Sequence, residues 1–140
     1  MAILSDFYVA DNDVAARHRG DARNQIDTDR VQWKGITPLE LSILRAIVHR
    51  TEWQDEDMDA FDCILDVDSG SRMIHRLPDD LRDRLSRVDE QEIERLASEW
   101  SATDELECQA DDIRPLLVDL RRLSQSAKVA TGGVYLWNCL

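Results

Sequence analysis

The chain has 140 residues, a length typical of one domain, and carries 29 acidic against 17 basic residues for a formal net charge of −12. This negative charge opposes binding to nucleic-acid phosphate, and no run approaches the roughly 20 apolar residues that a membrane helix needs. Cys63, Cys108 and Cys139 are too few and too far apart for a disulfide framework, and no secretory leader is recognisable. We therefore expect a soluble cytoplasmic protein that folds as a single domain over residues 1–140.

The N-terminal part predicts two strands separated by a short helix and a loop. Residues 5–10 are aromatic and β-branched enough for a strand. Asp11 or Asn12 can then cap a short helix. Residues 18–30 are polar and weakly patterned, which predicts a loop, and residues 31–33 predict a second, brief strand.

The most specific local signal is a helix start at Thr37. Thr37 is a hydroxyl N-cap, Pro38 takes the first helical position, and Glu40 can bond back to the cap. Apolar residues at helical spacing continue through Val48. We therefore predict a central and largely buried helix.

Two short apolar runs predict a β-hairpin near the middle of the chain. They cover residues 61–67 and 73–77, and residues 68–71 between them have the composition of a turn. Gly70 can supply the positive φ that such a turn requires.

The C-terminal half predicts further helices and a last strand. Pro78 and Asp89 each open a helical pattern. The longest apolar period starts at Ile113, with Pro115 tolerated in the first turn of that helix. After two glycines, residues 134–137 predict a strand.

Helices and strands do not alternate regularly, so the pattern predicts an α+β domain. We expect about four to five helices packed on a small, mostly antiparallel sheet that includes a central β-hairpin and a C-terminal strand. The strands at the two ends of the chain are expected to meet in that sheet.

Four segments carry a resemblance to a known family. They are residues 5–10 (SDFYVA), 34–41 (KGITPLEL), 75–78 (HRLP) and 135–139 (YLWNC). With these segments the chain resembles a family of small bacterial proteins of unknown function. The resemblance implies no activity, ligand or catalytic residue.

The negative charge is concentrated in two segments that contain no Lys or Arg. Residues 51–71, the first acidic segment, hold eight carboxylates, and residues 99–112, the second acidic segment, hold six. Removing these 14 from the 29 acids leaves 15 against 17 basic residues. We expect the two segments to form one negative face that attracts a basic protein partner. The predicted binding residues lie in the first segment: Trp53, Glu52, Asp55, Asp57 and Asp59.

The first acidic segment also contains a partial calcium-loop pattern. Asp55, Asp57 and Asp59 match positions 1, 3 and 5 of an EF-hand loop and are candidate metal ligands. Ala60 replaces the glycine that makes the sharp turn at position 6. A solvated acidic loop is the simpler explanation.

No sequence motif identifies an enzyme class. The nucleophile elbow, the phosphate-binding loop and the dinucleotide fingerprint are all missing, so we predict no cofactor. Asp66 and His75 lie on opposite arms of the hairpin and could form an acid/base pair. The sequence favours a non-enzymatic protein that binds a basic partner. The alternative is an enzyme or small-ligand-binding protein with a site near the hairpin at 61–77, where Asp66 and His75 are the catalytic candidates.

Overall fold

The computed structural model describes residues 3–20 and 30–140, which form the predicted α+β fold. The strands are β1 (Leu4–Ala10), β2 (Arg30–Lys34), β3 (Asp62–Val67), β4 (Arg72–Arg76) and β5 (Gly133–Cys139). The helices are α1 (Asp13–Arg19), α2 (Pro38–His49), a 3₁₀ helix (Asp55–Ala60), α3 (Asp79–Leu85), α4 (Glu90–Ser101) and α5 (Ala110–Val129). Within these described ranges, no helix combines the length and apolar character that crossing a membrane requires.

The five strands form one sheet in the order β2-β1-β5-β4-β3, and every neighbouring pair is antiparallel. This confirms that the terminal strands and the hairpin share one sheet. The hairpin lies at one edge of that sheet, with β3 outermost. Asp62 and Asp66 of β3 are exposed, and charged side chains are typical of an edge strand. Strands β1 and β5, in contrast, are largely buried.

Alternate residues of the two central strands face two different layers. Phe7 and Leu136 point into the main core beneath helices α2 to α5. Tyr8 and Trp137 point to the opposite face, where Ala16 of α1 packs on them. Because successive side chains of a strand point to opposite faces, each central strand contributes to two apolar layers.

A buried ion pair stabilises the α1 side of the sheet. The Arg30 guanidinium donates to the Asp6 carboxylate at 2.9 Å, and the two side chains are only 5% and 0% exposed. Arg30 also donates to the carbonyl oxygens of Arg19 and Gly20 and lies 5.0 Å from the ring centroid of Tyr8. These additional bonds compensate for the cost of removing both charges from water.

The start of α2 forms as the sequence predicts. The Thr37 hydroxyl oxygen accepts the Leu39 N–H at 3.3 Å, and the Glu40 carboxylate accepts the Thr37 N–H at 3.2 Å. The helix ends at His49, and the C-cap residue Arg50 has a left-handed φ of 56°. The capping box is therefore confirmed.

Two predictions about element boundaries are corrected. Helix α5 begins at Ala110, because the Asp112 carboxylate accepts the Gln109 N–H at 3.2 Å and starts the helix early. Pro115 is therefore not in the first turn. The predicted loop at 18–30 is also shorter, since α1 reaches Arg19 and β2 starts at Arg30; residues 21–29 lie outside the described residues.

Candidate functional site

A cleft opens between the hairpin and the start of α2. Helix α5 packs on β1 and β5, and α3 packs on β5, so the helical layer is displaced from the hairpin end of the sheet. The cleft has a volume of about 490 Å³, and we call it the hairpin cleft. Met73 and His75 of β4 form one wall, and the first residues of α2 form another. The remaining lining comes from the first acidic segment: Met58, Asp59, Phe61, Asp62 and Cys63.

The register of the hairpin determines which side chains face the cleft. Cys63 lies directly opposite His75, and Asp66 lies opposite Met73. Residues directly opposite in an antiparallel pair project from the same face of the sheet. Cys63, Asp66 and His75 therefore share one face.

Asp66 and His75, the predicted acid/base pair, lie on that face without a hydrogen bond between them. Asp66 acts on His75 only through its charge, which raises the pKa of the imidazole. Burial lowers the pKa of His75 more strongly, so the net shift is downward from 6.5. His75 is therefore neutral at neutral pH. The structure brings the two residues near each other but does not form the direct pair.

The His75 ring is buried and has an unsatisfied nitrogen. The side chain is 9% exposed, and its Nδ1 has no hydrogen-bond partner within the described residues. A buried polar atom without a partner is uncommon and costs about 1–3 kcal/mol. Because Nδ1 is itself a buried atom, a molecule in the cleft cannot bond to it without a local rearrangement.

Cys63 is the cross-strand partner of His75 that the sequence analysis did not identify. Its thiol is exposed and donates to the Leu65 carbonyl at 3.4 Å. Cys63 reaches this position because a bulge shifts the register between Cys63 and Leu65. The apolar walls of the cleft were also not predicted, because they come from three segments that are distant in sequence.

Among the residues that the structure describes, the carboxylates of the first acidic segment make no close ion pair, although Arg45 interacts with Asp57 through its charge and Arg76 lies opposite Asp62 on the hairpin. Within residues 3–20 and 30–140, none of its carboxylates forms an ion pair with an Arg or Lys. All but Asp57 are exposed, and Asp57 accepts the Gln54 N–H at 2.9 Å. The eight carboxylates belong to Glu52, Asp55, Glu56, Asp57, Asp59, Asp62, Asp66 and Asp68.

Trp53 attaches the first acidic segment to the protein. Its indole N–H donates to the Ser42 hydroxyl at 2.9 Å, and its half-buried ring packs against the main core. Trp53 therefore positions the acidic residues that follow it. Its role as a partner-contact residue stays a prediction.

The candidate metal ligands do not converge. Asp55, Asp57 and Asp59 lie on the 3₁₀ helix, where about three residues complete a turn. Residues two apart therefore project in three different directions. In the part of the chain that the structure describes, no group of three or more His, Cys, Asp or Glu side chains could hold a metal ion.

The second acidic segment differs from the first in its surroundings. Glu99 pairs with Arg95 at 2.7 Å, and Asp111 pairs with Arg114. The Trp100 indole in this segment donates to the Glu40 carbonyl on α2. Helix α2 therefore contacts a tryptophan of each acidic segment, since its Ser42 hydroxyl accepts from Trp53. That the two segments form one negative face stays a prediction.

Comparison with known proteins leaves the function to be argued from these residues. No family model, curated protein or solved structure matches the chain. The resemblance to a family of small bacterial proteins receives no support from these comparisons and stays an expectation.

Proposed function

We propose that the protein is a non-enzymatic acidic protein of the cytoplasm that binds a basic protein partner through its first acidic segment. The observation that carries the proposal is the lack of any Arg or Lys ion pair to the eight carboxylates of residues 51–71, within the described ranges. Elsewhere on the surface, carboxylates commonly pair with arginines, as Asp80 does with Arg45 at 2.7 Å. Unpaired carboxylates are free to pair with a partner's basic groups.

The electrostatic potential of the segment and its fixed position both favour such a partner. Complementary potentials accelerate encounter and suppress partners of the same sign. The segment is also held in place, since Trp53 bonds to Ser42 and Phe61 is 4% exposed. A positioned charge cluster loses less conformational entropy on binding than a mobile one.

Capture of partners from the native cytoplasm tests the proposal with two matched variants. The test variant carries Glu52→Gln, Asp55→Asn and Glu56→Gln. The control variant neutralises three carboxylates of the second acidic segment: Asp104→Asn, Glu105→Gln and Glu107→Gln. Both variants change the net charge equally, so they separate the position of the charge from its amount.

We expect the wild type and the control to retain a basic protein at low salt and to release it as the salt concentration rises. The test variant should retain several-fold less of the same protein. The proposal fails if no basic protein binds at low ionic strength. It also fails if the control loses binding as strongly as the test variant does.

The alternative is an enzyme or small-ligand protein with its site in the hairpin cleft. The concave cleft, which has His75 in its lining, favours it. It stands second because Asp66 makes no hydrogen bond to His75, and because the Cys63 thiol bonds to a backbone carbonyl instead of the imidazole. An acid/base mechanism needs its groups within hydrogen-bond reach of each other or of one substrate atom.

A further inference from the structure

Strand β3, which lies within the first acidic segment, is an open edge of the sheet. Its residues, 62–67, pair with β4 on one side. Among the residues that the structure describes, no strand and no backbone hydrogen bond occupies the other side. An edge strand of this kind can pair with an extended segment of another chain. The following inference rests on the proposed function and concerns how the partner is held.

The pairing of β4 with β5 determines which backbone groups of β4 point toward β3. The N–H of Leu140, which directly follows β5, donates to the carbonyl oxygen of Ser71, which directly precedes β4, at 3.0 Å. In an antiparallel sheet, successive residues of a strand direct their N–H and C=O groups alternately to the two neighbouring strands. The backbone groups of Arg72 and Ile74 therefore point toward β3.

Asp66 presents its backbone to the open edge. Val67 lies opposite Arg72, and Leu65 lies opposite Ile74, so these two residues of β3 bond to β4. Asp66 lies between them, and by the same alternation its N–H and C=O point away from β4. Asp66 is also exposed, so this part of the edge is open to a partner.

The side chains along this edge specify an alternating sequence for the partner. Leu65 is half-buried and packs in the apolar layer beneath α1, and Val67 shares that face because it lies two residues further along the strand. Asp66 points to the other face. A pairing strand therefore places one residue opposite Asp66 and its neighbours beside Leu65 and Val67. A lysine or arginine suits the first position, and apolar residues suit the other two.

The same side chains disfavour pairing between two copies of this chain. Edge-to-edge contact of two β3 strands would bring the carboxylates of Asp62 and Asp66 toward those of the second copy, and like charges across a strand pair are destabilising. The bulge between Cys63 and Leu65 also restricts regular pairing to the half of β3 next to the turn. The edge therefore favours a short basic strand over a long or acidic one.

We propose that an extended segment of the basic partner adds to the sheet beside β3. Its backbone bonds to the N–H and C=O of Asp66, a lysine or arginine lies opposite the Asp66 carboxylate, and apolar residues flank that cation. Main-chain hydrogen bonds thereby fix a contact that charge alone would leave diffuse.

An NMR titration of the full ¹⁵N-labelled chain with a blocked pentapeptide, Lys-Val-Lys-Val-Lys, tests this inference. The matched probe is the same peptide with N-methyl groups on its three central residues, which keeps the charge and the side chains but removes backbone donors. We expect the unmodified peptide to shift the amide signals of residues 65–67 and to slow hydrogen exchange of the Asp66 N–H. The methylated peptide should bind at least about fivefold more weakly and leave that exchange rate unchanged.

Two variants at one position separate the backbone from the charge. Asp66→Asn removes the carboxylate and keeps the N–H, whereas Asp66→Pro removes both. Asp66→Asn should bind the unmodified peptide about threefold more weakly than the wild type, and Asp66→Pro about fivefold more weakly again. Proline is tolerated in an edge strand where the N–H faces solvent, so Asp66→Pro should fold. Asp59→Asn changes the charge outside the strand and should bind within about twofold of the wild type.

Failure of this inference is distinguishable from failure of the proposed function. Equal binding of the two peptides, or no slowing of exchange at Asp66, overturns strand addition while the charge-driven binding of a partner stands. Equal binding by folded Asp66→Asn and Asp66→Pro also overturns it. The two peptides are compared on the wild type, so this result decides the inference even where Asp66→Pro does not fold.

Two further outcomes concern what occupies the edge. A dimer that protects the Asp66 N–H without any peptide overturns the inference, because a second copy would then cover the edge. Methylation-sensitive peptide binding without any captured basic protein would support strand addition at β3 and contradict the proposed function.

Discussion

His75 combines burial with a lowered pKa, and this combination makes the stability of the protein depend on pH. Burial is the main cause of the lowered pKa, and the charge of Asp66 offsets part of it. Below pH 6.5 the unfolded chain therefore binds a proton at this residue more readily than the folded protein does. The free energy of unfolding should fall as the pH drops from about 7 to about 5.5, by at most about 1.4 kcal/mol per pH unit from His75.

Urea denaturation of the wild type and of His75→Phe measures this contribution. Phenylalanine keeps the buried ring but cannot titrate, so the variant should lose less stability over the same pH range. Contributions from the other ionisable groups are common to both proteins and cancel in the comparison. A steeper pH dependence in His75→Phe than in the wild type would contradict the assigned direction of the pKa shift.

The cross-strand partner of His75 could not be predicted from the sequence. Counting back from the turn, Val67 opposite Arg72 would continue to Ile64 opposite His75. Because of the bulge between Cys63 and Leu65, Cys63 and not Ile64 lies opposite His75. Nothing in the composition of the strand identifies a bulge, so the sequence predicted both arms but could not predict the neighbour of His75.

The N-cap at Thr37 should contribute to the stability of α2, which forms one wall of the hairpin cleft. The Thr37 hydroxyl accepts the Leu39 N–H and donates to Glu40. Thr37→Ala removes both bonds and should lower the free energy of unfolding by about 1 kcal/mol, as is usual for a lost N-cap. Thr51→Ala is the control, because Thr51 is exposed and should change stability by less than about 0.5 kcal/mol. Equal losses in urea denaturation would show that the cap contributes nothing specific.

Elements with a local signal were predicted, and elements that depend on distant contacts were not. Helix α2 follows from its capping box, and the hairpin follows from its turn. The 3₁₀ helix has no apolar period, since its sequence is DEDMDA. It is held by flanking residues, with Trp53 bonded to Ser42 and Phe61 buried in the main core. Such contacts depend on the tertiary structure, and for the same reason the apolar walls of the cleft beside this helix could not be predicted.

The surface of the described molecule has regions where carboxylates pair with arginines and a region where they do not. On the outer faces of α4 and α5, carboxylates pair with arginines, as Glu90 does with Arg121 at 2.8 Å. In the first acidic segment no such pairs form among the described residues. A protein that needed acidic residues only for solubility could disperse them among its arginines. The concentration of unpaired charge beside a cleft instead provides a directional negative field.

This concentration should lower stability at low ionic strength. Like-charge neighbours on a helix cost about 0.2–0.5 kcal/mol each, and salt screens that repulsion. The free energy of unfolding in urea should therefore rise by about 1 kcal/mol between about 0.02 and 0.5 M NaCl. The variant with Glu52→Gln, Asp55→Asn and Glu56→Gln should be more stable than the wild type at low salt and less sensitive to salt.

A second variant with the same change in net charge provides the contrast. Glu90→Gln, Glu94→Gln and Glu99→Gln remove carboxylates that pair with Arg121, Arg114 and Arg95. These changes abolish attractions, so this variant should be no more stable than the wild type at low salt. If both variants gain the same stability, only total charge matters and the first acidic segment has no special electrostatic character. A gain confined to the first variant would mean that folding tolerates a local repulsion there, which is the cost expected of a surface that keeps its carboxylates available for a basic partner.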